Sequence, residues 1–405
     1  MAVELADFTR EARDFLDAHA RRTEAEERFR WGVGDDRVGY FSTAPAEEAA
    51  AAVEAARAWQ RTRYENGFGW LTGPEEYGGR GLGQVHALAY DALESEYDVP
   101  DTGVLDVIGL GMIGPTILTH GTPELREHYL RRMYSGEVIA CQLFSEPAAG
   151  SDLAGVTTRA VRDGDGWVVN GQKVWTSIAQ HAQVGELLCR TDPDAPKHRG
   201  ITAFLLDLDT PGVEVRPLRQ MTGGAEFNEV FLTDVRIPDS RRLGEVNEGW
   251  KVALTTLMNE RVTVGGERGG PAAALTPERL TAMLRAVGRE SDGALRRDLA
   301  ALLAALRAAR SLNERAARLL RAGAAPGPEG SISKLAFARN LIDGSRFAAD
   351  VLGPRIIADT GEWGTFAWSE LLLSAPALRI LGGTEEIMKN ILAERVLGLP
   401  KEAAR

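Results

Sequence analysis

CQLFSEPAAGSD, from Cys141 to Asp152, and NGQKVWTS, from Asn170 to Ser177, are the stretches on which the reading of this chain turns. A short alternating strand pattern joins them, and paired strand ends with turns are how a binding surface is commonly built. From Glu146 to Gly150 the chain offers a Pro-fixed turn followed by small residues, which lets backbone N–H groups approach a planar or anionic ligand. Trp175, two residues before Ser177, sets a broad apolar plate beside a hydroxyl. That combination suits a flat, heteroaromatic cofactor.

Outward from this core the pattern changes on both sides. Before about Gly136 apolar residues recur at helical spacing, as in Phe8, Ala12, Phe15 and His19, with breaks at Gly73-Pro74 and Pro123. Between Val138 and Pro238 short β runs alternate with turns: Thr157 to Val161, the DGDG turn at Asp163 to Gly166, Trp167 to Val169, Ile201 to Leu206, and Val230 to Ile237. Helical periodicity returns from about Leu243. There Leu295, Leu299, Leu302 and Leu306 form a seam on a segment otherwise rich in Arg. PGPEG at Pro326 to Gly330 reads as a loop. Helix, strand block, helix predicts an α+β fold, with an antiparallel sheet or small barrel between two helical domains. The expected division is 1–137, 138–241 and 242–405.

Composition narrows the function classes. The 405 residues suffice for two or three domains, and 44% hydrophobic with 26% charged content is ordinary for a soluble globular protein. A formal charge of 47 − 58 = −11 argues against nucleic acid and anionic membrane surfaces as main partners. Two cysteines, Cys141 and Cys189, are too few for a disulfide framework, and the six scattered histidines form no metal-ligand cluster. The charged N-terminal residues carry no apolar signal core, and no stretch approaches the ~20 apolar residues of a membrane span. A cytoplasmic location is the expectation.

With SEPAAGSD and NGQKVWTS in hand, the chain resembles the acyl-CoA dehydrogenases. Four further segments carry the resemblance in the family's order: PEEYGGRGLG at Pro74 to Gly83, HGTPELREHYL at His120 to Leu130, GWKVAL at Gly249 to Leu254, and GGTEEI at Gly382 to Ile387. It implies FAD as cofactor, an acyl-CoA substrate, an electron-transferring flavoprotein as acceptor, and a homodimer, homotetramer or heteromer. It also implies that an N-terminal helical domain, a middle β-domain and a C-terminal helical bundle share the work, with the Arg-rich segment after Ala294 at a subunit interface or on a solvated face.

Desaturating a thioester needs a base for the α proton, a hydride acceptor at the β carbon and donors to the carbonyl oxygen. Most of the family carries its base immediately before the C-terminal Gly-Thr, and here that position is Gly382. A minority carries it on the helix opening the last domain, directly before an Arg, and MNERV supplies Glu260 and Arg261 there. Trp250, Ala253, Leu257, Glu260 and Val264 are spaced 3, 4, 3 and 4, which sets the carboxylate on an apolar stripe. The alternative is a surface ion pair between Glu260 and a cation such as Arg261. The resemblance assigns the Gly382 amide to the thioester carbonyl. It gives Phe144, Ser145, Trp175 and Ser177 to the flavin ring, Thr384 and Glu386 to its adenine-ribose side, and Ser151 and Arg261 to the substrate.

Two departures bear on the pyrophosphate end. The family's Arg-x-x-Phe-Gly is missing from the stretch between Gly265 and Ser291, and Asp350 with Gly353-Pro354 replaces its Gln and Gly-Gly turn. An Asp beside a pyrophosphate repels it. Arg268 is the candidate substitute cation. A flavin-free partner subunit of a heteromeric dehydrogenase, and an oxygen-using oxidase or monooxygenase on the same fold, are the alternative functions.

Overall fold

The structure is a computed structural model that describes residues 3–23, 29–41, 43–264, 275–321, 327–328 and 330–401, with the side chains of 261–264, 320 and 321 outside the description. The chain divides into two compact units. The first comprises Met1–Thr23, Ala44–Arg219 and Ala225–Thr263, and the second Glu24–Thr43, Gln220–Gly224 and Val264–Arg405.

The first unit opens with helices α1 (Leu5–His19), α2 (Ala46–Glu65), α3 (Gln84–Glu94), α4 (Gly114–His120) and α5 (Pro123–Tyr134). α1 buries Phe8, Ala12, Phe15 and Leu16. His19 continues that face in the last turn, where it is exposed, its ring centroid 4.6 Å from that of Phe15 and its Nδ1 2.8 Å from the Phe15 carbonyl. Thr122 caps α5 by accepting the Leu125 N–H at 3.3 Å, and Pro123 follows at the first helical position, where its missing N–H costs nothing. By length and composition the segment Gly103–His120 is apolar enough to cross a membrane, which amends the expectation from sequence. Its Met112, Ile113, Thr116 and Ile117 are buried within the unit.

An eight-stranded sheet follows, with β1 (Ala140–Leu143), β2 (Arg159–Asp163), β3 (Gly166–Ser177), β4 (Val184–Arg190), β5 (Ile201–Asp207), β6 (Val213–Leu218), β7 (Phe227–Pro238) and β8 (Arg242–Leu243). Spatial order is β8-β5-β4-β2-β3-β7-β6, with β1 also pairing β4. β2 and β3 form the expected hairpin, Asp163 opposite Gly166, and Gly164 takes the left-handed φ of 63° that its turn requires. The sheet is not purely antiparallel: β1 runs parallel to β4, from Ala140 opposite Val184 to Leu143 opposite Leu187, and β2 touches β4 in parallel at Arg159 and Arg190. Alternation in sequence reports burial on one face and is blind to strand direction.

The two faces of the sheet enter different cores. Leu143, Leu187, Cys189, Phe204 and Leu206 pack in one. Ala140, Phe144, Val184, Leu188, Ala203 and Leu205 pack in the other, together with Ile117, Leu130, Val252 and Ala253 from the helices. Helix α6 (Gly249–Val264) thus lies on the second face, its start pressed so close that a Cβ on Gly249 would meet the Thr202 carbonyl carbon at 2.6 Å.

The second unit is helical: α7 (Pro277–Ala286), α8 (Gly293–Arg321), α9 (Gly330–Leu352), α10 (Ala367–Ser374) and α11 (Glu385–Ile391). The expected seam is present, with Leu295, Leu299 and Leu302 buried and Leu306 packed against the same cluster as Leu341, Phe347 and Trp368. Within the described residues Arg296, Arg297, Arg307 and Arg310 lie outside that core, and Arg310 pairs with Glu314 at 3.4 Å on the exposed side of α8. Of the PGPEG stretch only Gly327, Pro328 and Gly330 are described.

Candidate active site

The turn after β1 is closed by two backbone bonds, Glu146 N–H to Ala149 carbonyl at 2.9 Å and Ala149 N–H to Glu146 carbonyl at 3.0 Å, so Pro147 sits at the tip. The Val174 N–H donates to the Ser145 carbonyl at 2.9 Å, and this stitches the first quoted segment to the second. Behind the stitch is a buried ion pair that the sequence reading did not single out. Lys173 Nζ donates to Glu146 Oε1 at 2.8 Å and to the Phe144 carbonyl at 3.0 Å. Glu146 also accepts the Thr157 N–H at 2.7 Å, the Thr157 hydroxyl at 2.8 Å and the Thr158 N–H at 2.9 Å.

With Lys173 fully buried and Glu146 5% exposed, the pair is out of water and satisfied by neighbours. Burial alone would raise the Glu146 carboxyl. The Lys173 ammonium and the three Thr donors override it and hold the group at about 2. The signal in the sequence was one Lys and one Glu, each interrupting an otherwise inward-facing alternation, in two segments already expected to be neighbours.

Two residues past Lys173, the pairing of β3 with β7 slips between Lys173 and Thr176. Trp175 is the bulged residue, with φ of 59°, a conformation that costs a bulky L-residue on the order of 1–2 kcal/mol. The bulge turns the indole outward: Trp175 is 62% exposed, touching Phe227 edge-on with centroids 6.0 Å apart. A strained backbone that exposes a large apolar ring is a liability without a ligand to cover it. Ser177 stands opposite Phe227 on β7.

The structure therefore brings Phe144, Ser145, Trp175 and Ser177 together at one end of the sheet, and Ser151 follows on the exposed chain beyond the turn. Two hydroxyls, an amide-rich turn and a solvent-facing indole fit a flat heteroaromatic ring such as a flavin.

Glu260 lies half-buried on α6. The buried line of that helix is Val252, Ala253 and Thr256, with Trp250 and Leu257 packed along its margin, so Glu260 continues the line one turn beyond Thr256. The backbone of Arg261 continues the helix, while its side chain and all of Arg268 fall outside the described residues. Thr256 leads to a second buried carboxyl the sequence reading did not single out, Glu186 on β4, whose oxygens lie 2.8 and 3.0 Å from the Thr256 hydroxyl.

In the second unit Gly382 and Gly383 have φ of 65° and 89°, which explains the consecutive glycines. A Cβ on Gly383 would also meet the Met388 methyl at 2.6 Å. Buried Lys334 donates to the Gly383 carbonyl at 2.8 Å and to the Leu378 carbonyl at 2.9 Å, fixing the turn. Thr384 then caps α11 by accepting the Ile387 N–H at 3.3 Å. Glu386 is exposed in the first turn, and its neighbour Glu385 is paired with Arg379 at 2.8 Å. Asp350 is exposed on α9, its carbonyl accepting from Arg289 at 2.6 Å.

Among the described residues no group of three or more His, Cys, Asp or Glu could hold a metal ion. Both cysteines are buried thiols, pushed up to about 12 by desolvation and inert as nucleophiles.

Three family profiles match in succession: acyl-CoA dehydrogenase N-terminal domain over residues 41–137, middle domain over 141–235 and C-terminal domain over 247–397. The acyl-CoA dehydrogenase IpdE1 of Mycobacterium tuberculosis is 40% identical over 358 residues, 87% of this chain and 90% of that protein. The acyl-CoA dehydrogenase FadE34 of the same organism is 42% identical over 334 residues, and the match covers 81% of this chain but 44% of that longer relative. Among solved structures, the Tcur3481-Tcur3483 steroid ACAD superposes with a TM-score of 0.77 at 29% identity over 98% of both chains. The ChsE4-ChsE5 complex from Mycobacterium tuberculosis gives 0.70 at 26% identity, over 99% of this chain and 100% of that one.

Proposed function

This chain belongs to the acyl-CoA dehydrogenase family of oxidoreductases, and on that premise we propose that it desaturates an acyl-CoA thioester between its α and β carbons with FAD as electron acceptor. The observation that carries the reading is Trp175, a large ring held outward on a strained bulge that the buried Lys173–Glu146 pair braces from behind. In the proposal, the main chain of Phe144, the hydroxyls of Ser145 and Ser177 and the Trp175 indole hold the ring system. Thr384 and Glu386 hold the adenine-ribose side, and the roles divide along residues 1–137, 138–241 and 242–405. FAD, when bound, would supply a two-electron acceptor for the hydride leaving the β carbon.

Glu260 takes the α proton from its half-buried position on α6. The Gly382 amide donates to the thioester carbonyl and stabilises the charge that develops on its oxygen, a contribution of about 3 kcal/mol for one such donor. Ser151 and Arg261 contact the substrate. Relatives named as steroid acyl-CoA dehydrogenases favour a bulky lipid acyl group, and an electron-transferring flavoprotein then reoxidises the enzyme.

Asp350 on α9 and the absent Arg-x-x-Phe-Gly favour a second reading, in which a heteromeric partner completes the dinucleotide site, as the paired names of two related structures suggest. Purification of the chain alone, FAD reconstitution and anaerobic addition of acyl-CoA thioesters separate the readings. Yellow protein bleached by substrate supports the dehydrogenase. Protein that stays colourless until a partner is added supports the heteromer, and hydrogen peroxide formed at the turnover rate under air supports an oxidase.

A further inference from the structure

Glu186 is a fully buried carboxyl for which the proposed chemistry has no use. It occupies β4 between Val184 and Leu188, on the sheet face covered by α4 and α6. The elements around it offer no opposite charge: Gln142 beside it in register on β1, Leu205 opposite on β5, Thr256 on α6, and Thr116 on α4 beyond Thr256. The other titratable groups with described side chains on the two helices are Lys251 and Glu260 on α6 and His120 at the end of α4, and His120 Nε2 lies 2.8 Å from the Thr255 hydroxyl, while Arg261 on α6 has its side chain outside the described residues. Among the described residues no cation pairs with Glu186.

Counting protons favours the protonated form. The Thr116 hydroxyl donates to the Met112 carbonyl at 2.9 Å, and it lies 2.9 Å from the Thr256 hydroxyl. If Glu186 carries a proton, a single chain satisfies every member: Glu186 O–H to Thr256, Thr256 O–H to Thr116, Thr116 O–H to Met112. If Glu186 is ionised, Thr256 must turn its hydroxyl to the carboxylate, and the 2.9 Å Thr256–Thr116 contact keeps a proton only if Thr116 gives up Met112. Thr256 is then the one hydrogen-bond donor to the two oxygens among the described residues, the buried Gln142 amide beside it having no partner. Burial favours the same form, raising the group to about 8.

Thr256 is one helical turn before Glu260, so the chain ends on the helix that carries the proposed base. Along α6 the neighbours of Thr256 on the buried line, Val252 and Ala253, are apolar and supply no directional contact. We infer that Glu186, in its protonated form, is a positioning residue for proton abstraction: through Thr256 and Thr116 it sets the rotation of α6 against the sheet and thereby the aim of Glu260. This rests on Glu260 being the base. It makes Glu186 a determinant of kcat and leaves KM alone, and raising the pH through the ionisation of Glu186 misaligns the helix.

The test compares Glu186→Gln, Glu186→Leu and Thr256→Val with the wild-type holoenzyme, following acyl-CoA-dependent reduction and steady-state kinetics across pH. Glu186→Leu and Thr256→Val are expected to lower kcat at least tenfold, with flavin content and KM within twofold of wild type. Glu186→Gln, which keeps a neutral donor facing Thr256, is expected to rescue kcat at neutral pH and to remove the alkaline loss seen in wild type. Equal kcat in Glu186→Leu and wild type, or equal losses in the Gln and Leu variants, would overturn the inference. A turnover-independent arm separates this from a wrong base. The infrared difference spectrum of wild type against Glu186→Gln at pH 7 should contain a protonated-carboxyl carbonyl band, and its absence overturns the inference whatever Glu260 does.

Discussion

Replacing Lys173 by Met removes the cation that is hydrogen-bonded to Glu146 and leaves a carboxylate 5% exposed with three Thr donors. Breaking a buried pair by removing one partner costs about 3–5 kcal/mol. The native carboxyl is held at about 2, against an ordinary 4.5. That depression is equivalent to at most about 3 kcal/mol at ~1.4 kcal/mol per pH unit, less whatever solvent screens. Because the folded value is depressed, this stability is present in full above pH 4.5 and is lost as the pH falls from there towards 2. Urea unfolding followed by Trp fluorescence should show Lys173→Met destabilised by about 3–5 kcal/mol at pH 7. The deficit should shrink as the pH is lowered to about 4–5, because a Glu146 without its cation takes up a proton there. Glu146→Gln in the Lys173→Met background should restore at least half of the loss, since no uncompensated charge remains. Flavin retention should fall with Lys173→Met, because the Phe144 carbonyl loses its tie. A loss below 1 kcal/mol at pH 7, or a deficit independent of pH, would refute the reasoning.

Trp175→Gly should decouple stability from function: relief of the left-handed backbone strain raises stability by up to about 1 kcal/mol in thermal unfolding, while FAD binding measured by ultrafiltration weakens at least tenfold. Gly383→Ala should cost about 1–3 kcal/mol, from a φ of 89° and the crowding of Met388, and it should lower kcat if the Gly382 amide serves the thioester carbonyl. Glu186→Gln should flatten the dependence of stability on pH. The folded value of Glu186 is raised from 4.5 to about 8, so wild type loses ~1.4 kcal/mol per pH unit as the pH rises between these values. The variant should therefore be more stable than wild type by up to about 3 kcal/mol at pH 7 in denaturant melts, and equal to it near pH 4.

The sequence announced what depends on local pattern. The turn at Asp163 to Gly166, the seam from Leu295 to Leu306 and the change from helix to strand after Gly136 are all periodicity or turn chemistry, and all three are found. The parallel pairing of β1 with β4 was not legible, because it depends on a crossover spanning some forty residues rather than on any local signal. The polar pairs behind the site were missed for the same reason. Lys173 and Glu146 are 27 residues apart, and Glu186 and Thr256 are 70 apart. Each looks like a surface residue until the fold buries it. Trp175 was read from sequence as a plate for a flat ligand, but its left-handed bulge was not legible, since nothing around a Lys-Val-Trp-Thr run signals a residue at positive φ. The roles proposed for Gly382, Thr384 and Glu386 come from the family motifs alone, and the structure adds why two glycines precede the Thr.

The most direct test of the central claim is rapid anaerobic mixing of flavin-loaded wild type and Glu260→Gln with a saturating acyl-CoA thioester, following the oxidised flavin absorbance. Wild type should bleach within a single turnover. Glu260→Gln should register binding through a shifted spectrum and bleach about 10²–10⁴-fold more slowly, the usual worth of a positioned base. Bleaching of Glu260→Gln at the wild-type rate would contradict the account.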